Sequence, residues 1–313
     1  MSAVSGWRQR GDAARHALRV QARDLLELWL LPGLAALLPW RWCFALYRRL
    51  ARWPWLYRAK LELALPQARA RLQLSEPQWR EWAQQHRLVT LVDHADCFLS
   101  RTRGAGWLRR HVEVRGAWPA PGESAVLCTF HWGAGTWALR HARQAGMQAH
   151  KLVAGLDTPA YRGRPVMLRY ARTRLAMVRH ALGQPTLDTS APLRALLQCL
   201  QQRHQVLAVM DVPADEVSAS CEVELLGETA LMPRGLLRLA VQRRLPVVMF
   251  LCGIDLASGR RWIEIETVPP HDEVPALAAA LFAHLDAAIR AQPAQWHFWA
   301  QAPRFWQRAG PMA

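Results

Sequence analysis

The segment Thr129-Phe130-His131-Trp132-Gly133-Ala134-Gly135-Thr136-Trp137 gathers reactive and turn-forming residue types in one short span. Just before the histidine, residues 125–130 (AVLCTF) form a continuous apolar run, as a strand buried on both faces requires. Two glycines then permit a tight turn, and residues 136–145 read as a helix closed by Gly146. Ligand sites of α/β sheets lie at the carboxyl ends of strands, which is where His131 stands. An imidazole there can take a proton from a hydroxyl, so His131 is a candidate general base; the alternative is a histidine that caps a turn.

Other stretches carry weaker signals. Arg234 precedes Gly235 at the expected start of a helix over 234–243, where free backbone N–H groups would help to cradle a phosphate. Asp93-His94-Ala95-Asp96 has the residue types of a metal site, but spacing supplies no third ligand, so no metal is expected. His141 and His150 read as surface residues. The 16 tryptophans read as core and interface packing.

The elements around these residues alternate. Residues 61–121 read as mostly helical, with breaks at Glu76-Pro77 and at 119–122. Beyond the 125–130 strand, a helix over 192–203 precedes a strand over 206–210, and the helix at 234–243 leads into an apolar strand at 246–251. Residues 261–267 (RWIEIET) alternate with period two, as a half-exposed strand does, and 274–291 forms an alanine-rich amphipathic helix. The expected class is α/β, a mixed central sheet flanked by helices.

The first sixty residues differ. Eleven basic residues stand against three acidic ones, and inside this frame lies LLELWLLPGLAALLPW, residues 25–40, interrupted by Pro32-Gly33. That run is shorter than the ~20 residues a bilayer core requires. Trp29, Trp40, Trp42, Trp53 and Trp55 flank or follow it, and tryptophan prefers the membrane interface. Residues 1–60 are therefore expected to form membrane-associating, interfacial helices, with residues 61–313 as the α/β domain. No small-residue cleavage site follows the apolar run, so no cleavable signal peptide is expected.

Composition narrows the classes. With 51% hydrophobic and 20% charged residues, the 313-residue chain has the balance of a globular protein rather than a disordered one. The net charge of +16 is carried almost wholly by arginine, since only Lys60 and Lys151 are lysines. Arginine suits phosphate, whether of nucleic acid, lipid headgroup or carrier, and a GC-rich coding bias would enrich it too. Nucleic acid is disfavoured, because no helix-turn-helix, zinc-finger or RNP signature is present. The six cysteines are scattered, with no CxxC pair, as reduced thiols in a reducing compartment would be.

From about Leu25 to Phe305 the sequence resembles the lipid A biosynthesis (HtrB-like) acyltransferases of the bacterial inner membrane. His131 matches the histidine of that family's motif. Arg179-His180-Ala181-Leu182-Gly183 resembles its arginine and downstream glycine, and Asp211 falls at its aspartate. Gly227, Pro233 and Gly235 before an LxRLA helix resemble a further block, and Pro293-Ala294-Gln295-Trp296 through Arg304-Phe305 the terminal one. The resemblance implies an enzyme at the cytoplasmic face of the inner membrane. It would move an acyl chain from an acyl carrier protein or coenzyme A thioester to a hydroxyl or amine of a membrane lipid or glycolipid. No cofactor beyond that co-substrate is implied.

In the family, a carboxylate five positions after the histidine holds the imidazole in its working tautomer; here Thr136 stands in that place. Threonine offers a hydrogen bond without a charge. Asp211, at another strand end, is the candidate substitute. Arg179 is the candidate for binding phosphate or polarising the thioester oxygen. The alternative to an enzyme is a catalytically silent relative that binds lipid or acyl carrier protein within a membrane-associated assembly.

Overall fold

The N-terminal helix α1 (Ser2–Leu25) passes through a π-helical turn, Leu26–Leu30, into α2 (Leu31–Leu37), and α3 (Trp40–Leu50) follows a bend. The structure, a computed structural model, describes residues 2–190 and 193–306. The expected break at Pro32-Gly33 does not occur. Proline lacks an N–H and its ring crowds the carbonyl four residues back, and the wider π turn just before it makes room for both. The carbonyls of Leu31 and Pro32 share the Tyr47 hydroxyl, each at 2.9 Å. The bend comes instead at Leu38, which is extended as a residue before proline prefers to be.

Three helices follow: α4 (Arg58–Arg71), α5 (Glu76–Thr102), opened by a Ser75–Gln78 capping box, and α6 (Ala105–His111). The α/β part then runs β1 (Val112–Arg115), β2 (Ala125–Thr129), α7 (Thr136–Gln144), β3 (Ala149–Val153), α8 (Pro165–Leu182), β4 (Leu187–Asp188), α9 (Leu193–Gln201) and β5 (Gln205–Val209). The hairpin β6 (Ser220–Leu225) and β7 (Glu228–Pro233) follows, then α10 (Gly235–Arg243), β8 (Val247–Ile254), β9 (Arg261–Val268), α11 (Val274–Ala291) and α12 (Pro303–Trp306). Pro192, where the sequence starts its helix, lies outside the described residues, as do the side chains of Arg8, Arg10 and Asp12.

Seven strands form one sheet in the order β1-β9-β8-β2-β5-β3-β4. Only β8 and β9 pair antiparallel, so the sheet is mixed and flanked by helices, as expected. Side chains alternate across each strand and sort into two cores. Leu127, Leu207, Val248 and Phe250 face one way, against α5, α7, α8 and the N-terminal helices. Val126, Cys128, Ala208 and Met249 face the other, against α10, α11 and the aromatic C-terminal segment.

Trp40, Cys43, Phe44 and Tyr47 share the first core with the central strands. In addition, α11 is the one helix among the described residues long and apolar enough to cross a bilayer. Its Leu277, Leu281, Phe282, Leu285 and Ile289 are buried against the sheet, as a core helix requires.

Candidate active site

Strands β2 and β5 are parallel neighbours with Thr129 opposite Val209. His131 and Asp211 each lie two residues beyond those partners, so the register brings them together. Asp211 is fully buried; its Oδ1 and Oδ2 accept the His131 backbone N–H at 2.8 and 3.1 Å, and Oδ1 lies 3.0 Å from His131 Nδ1. A carboxylate can only accept, so Nδ1 carries the proton and Nε2 keeps its lone pair. Trp296 Nε1 donates to Oδ2 at 2.8 Å from the other side. The His131 side chain is 35% exposed and stacks on Phe298 with ring centroids 3.7 Å apart. The imidazole is thus clamped at Nδ1 and on one face.

The turn is held from the C-terminal segment. Gly133 N–H donates to the Gln295 carbonyl at 2.9 Å, and His297 N–H donates to the His131 carbonyl at 2.8 Å. Gly133 has φ +52°, and a Cβ there would sit 2.4 Å from the Cys252 carbonyl oxygen, so the turn admits only glycine. His297 Nε2 lies 2.8 Å from the Gly133 carbonyl and must be its donor. Nδ1 is then the acceptor facing the Lys60 amine at 3.4 Å.

His131 opens into a cleft of about 580 Å³ on the α7/α8 side of the sheet. Its lining combines apolar side chains, Leu139, Met177, Val178, Leu207, Val209 and Phe250, with charged ones. These are Lys60, Asp93, Lys151 and Arg174, with Asp24, Glu27 and Arg164 towards the N-terminal helices. Arg174 binds Asp93 at 2.7 Å and Arg164 grips Asp24 through two bonds of 2.5 and 3.0 Å. Burial would raise the Asp93 carboxyl, but Arg174 and His297 outweigh it and hold the group well below the usual range. Burial lowers the ammonium of Lys60 to about 8 against the opposing charge of Asp93. Burial and the Lys60 charge lower His297 to about 4.

The residues singled out in the sequence separate into two groups. His131 and Thr136 line the cleft and the buried Asp211 holds His131 from behind it, but Thr136, at the start of α7, makes no hydrogen bond with the imidazole. The carboxylate sits on Nδ1 by way of β5 instead. Arg179, Arg234 and Gly235 do not line the cleft. Arg179 is exposed and donates to Thr186 Oγ1 at 3.0 Å, while Arg234 and Gly235 are exposed at the β7–α10 junction. On α8 the guanidinium that reaches the cleft is Arg174.

Asp93, His94 and Asp96 do not converge either. Asp93 is taken by Arg174, His94 Nδ1 meets Tyr57 Oη at 3.0 Å, and Asp96 pairs with the fully buried Arg261. Sequence reasoning missed Lys60, Lys151, His297 and Phe298 as site residues; the rarity of lysine was the available signal for the first two. No protein-family model matches the chain, and no curated protein matches it.

Proposed function

We propose that the protein is an acyltransferase that moves a fatty acyl chain from an acyl carrier protein or coenzyme A thioester to a hydroxyl or amine of a membrane lipid or glycolipid. The observation that carries this reading is the His131–Asp211 pair, with Nε2 free at a half-apolar cleft. In this reading Nε2 takes the acceptor's proton as its oxygen or nitrogen attacks the thioester carbonyl. The C–S bond breaks, and the imidazolium, stabilised by Asp211, returns the proton to the thiolate. The apolar part of the lining suits the acyl chain. The resemblance to the lipid A biosynthesis acyltransferases points the same way.

Membrane association belongs to the same proposal. Of the nine large apolar side chains left exposed among the described residues, eight fall between Leu18 and Leu63. Trp42, Trp53 and Trp55 are among them, with Arg41, Arg48, Arg49 and Arg52 close in sequence. Leu63 is both 63% exposed and part of the cleft, so the cleft opens beside this apolar surface. That surface supports membrane association, and the proposed thioester donor and the family resemblance support the cytoplasmic face of the inner membrane.

The test is thioester consumption by the purified full chain with membrane lipid acceptors, followed by mass spectrometry of the lipids. Transfer by the wild type and its loss in His131→Ala, with fold retained, is the expected result. Undiminished transfer in His131→Ala overturns the assignment. Lipid binding without any thioester consumption by the wild type leaves the silent, lipid-binding relative as the reading.

A further inference from the structure

Forty residues of this chain are basic, and only Lys60 and Lys151 are not arginine. Both line the one cleft that holds His131. The other thirty-eight are arginines, whose guanidinium stays protonated in proteins. An amine differs in one chemical respect that matters here: it can give up its proton and become a nucleophile.

The two lysines are not equivalent. Lys60 is held by Thr90 Oγ1 at 3.2 Å and His297 Nδ1 at 3.4 Å, both of which occupy its hydrogens. Lys151 lies on β3 opposite Leu207 of β5, which in turn lies opposite Leu127 of β2. Its side chain therefore leaves the same sheet face as Leu207 and Leu127, and no described residue bonds its ammonium or pairs with it. Two strand spacings, roughly 10 Å, separate β3 from β2, which leaves room for a reacting carbonyl between Lys151 and His131.

We propose that Lys151 is a nucleophilic amine and a self-acylation site, taking an acyl group from a thioester held in the cleft. The proposal rests on the acyltransferase reading only for the identity of the donor. The Lys151 nitrogen bonds to the thioester carbonyl carbon, the C–S bond breaks, and the thiol leaves with the proton that the nitrogen loses. The product is an amide, far less reactive towards nucleophiles than the thioester, so the acyl group stays on Lys151. An acyl chain fixed there fills the apolar part of the cleft and blocks it. Burial, reinforced by the Arg174 charge and opposed by Asp93, lowers this amine to about 8, so a reactive fraction exists at neutral pH.

The experiment treats the full-length protein, in parallel, with palmitoyl-coenzyme A and with the acetyl ester of N-hydroxysuccinimide. Intact mass and peptide mapping then read Lys60 and Lys151 separately. With the small ester, Lys151 is expected to be acetylated ahead of Lys60. Its rate should rise about tenfold per pH unit below pH 8 and level off above, whereas an ordinary lysine keeps rising towards pH ~10. With palmitoyl-coenzyme A, a single palmitoyl group on Lys151 is expected, absent in Lys151→Arg. Equal or slower ester labelling of Lys151 than of Lys60 overturns the nucleophile. Fast ester labelling without palmitoylation overturns self-acylation from a thioester and keeps the reactive amine. The acyl-transfer assay of His131→Ala against wild type judges the enzyme reading independently, because neither labelling needs turnover.

Discussion

Trp296 and Asp211 are joined by a hydrogen bond of 2.8 Å from the indole Nε1 to Oδ2, and both side chains are fully buried. The bond leaves Oδ1 to His131 and fixes the plane of the carboxylate against the imidazole. Replacing Trp296 with Phe keeps most of the ring volume and removes the donor. A buried carboxylate oxygen left short of a partner costs about 1–3 kcal/mol. The urea midpoint of Trp296→Phe should fall accordingly, and the downfield Nδ1–H proton resonance of His131 should broaden or move.

Asp211→Asn probes the tautomer. An asparagine can turn its NH2 toward Nδ1, which makes Nδ1 the acceptor and moves the proton to Nε2, where it blocks uptake of another. In the serine-protease triad the same exchange lowers turnover about 10^4-fold, and a loss of that order is expected here. Acyl transfer measured beside circular dichroism separates this from misfolding; near-wild-type transfer would mean that the carboxylate only holds the turn.

Acid should weaken the fold through His297. Its folded-state pKa, about 4, lies below the ordinary histidine value of about 6.5 because burial and Lys60 disfavour the imidazolium. Between those values the unfolded chain binds a proton that the folded chain does not. Stability is therefore whole above pH ~6.5 and declines as pH falls towards 4. His94, lowered to about 3 by burial with Asp93 opposing, carries the decline further. Urea midpoints between pH 7 and 4 should show this slope, and His297→Asn should flatten it.

The exposed tryptophans make the membrane proposal measurable. Trp42→Ser with Trp53→Ser should lower partitioning onto vesicles of phosphatidylglycerol and phosphatidylethanolamine by at least an order of magnitude, since burying one large apolar side chain is worth about 1.5–3 kcal/mol. Raising salt should weaken binding of wild type and variant alike. Unchanged sedimentation with vesicles would remove this surface from the proposal.

The parts of the fold that were legible in the sequence are those whose burial is one-sided or complete. The runs that became β2, β5 and β8 are apolar but for Thr129 and Gln205 at the strand ends, and α11 has the period of a core helix. The strands β1 (VEVR) and β3 (AHKLV) were not legible, because each is short and carries charge at positions that meet a cleft or the surface. The β6–β7 hairpin hid behind its turn: Leu226 takes φ +57°, which asparagine would have advertised and leucine does not. At the site, the His131–Asp211 contact was readable only from strand register, two residues past paired ends. A linear motif does not say which side of α8 meets the sheet, so the motif arginine, Arg179, lies exposed while Arg174 reaches the cleft.

The clamp on His131 is drawn from residues made last among those that touch it. His297, Phe298 and Trp296 supply its carbonyl partner, its stacking face and the second bond to its aspartate. A nascent chain that has already folded its parallel strands therefore carries a histidine held by Asp211 but still without its stacking face. During synthesis the centre stays unfinished, and one face of the sheet uncovered, until this late segment docks.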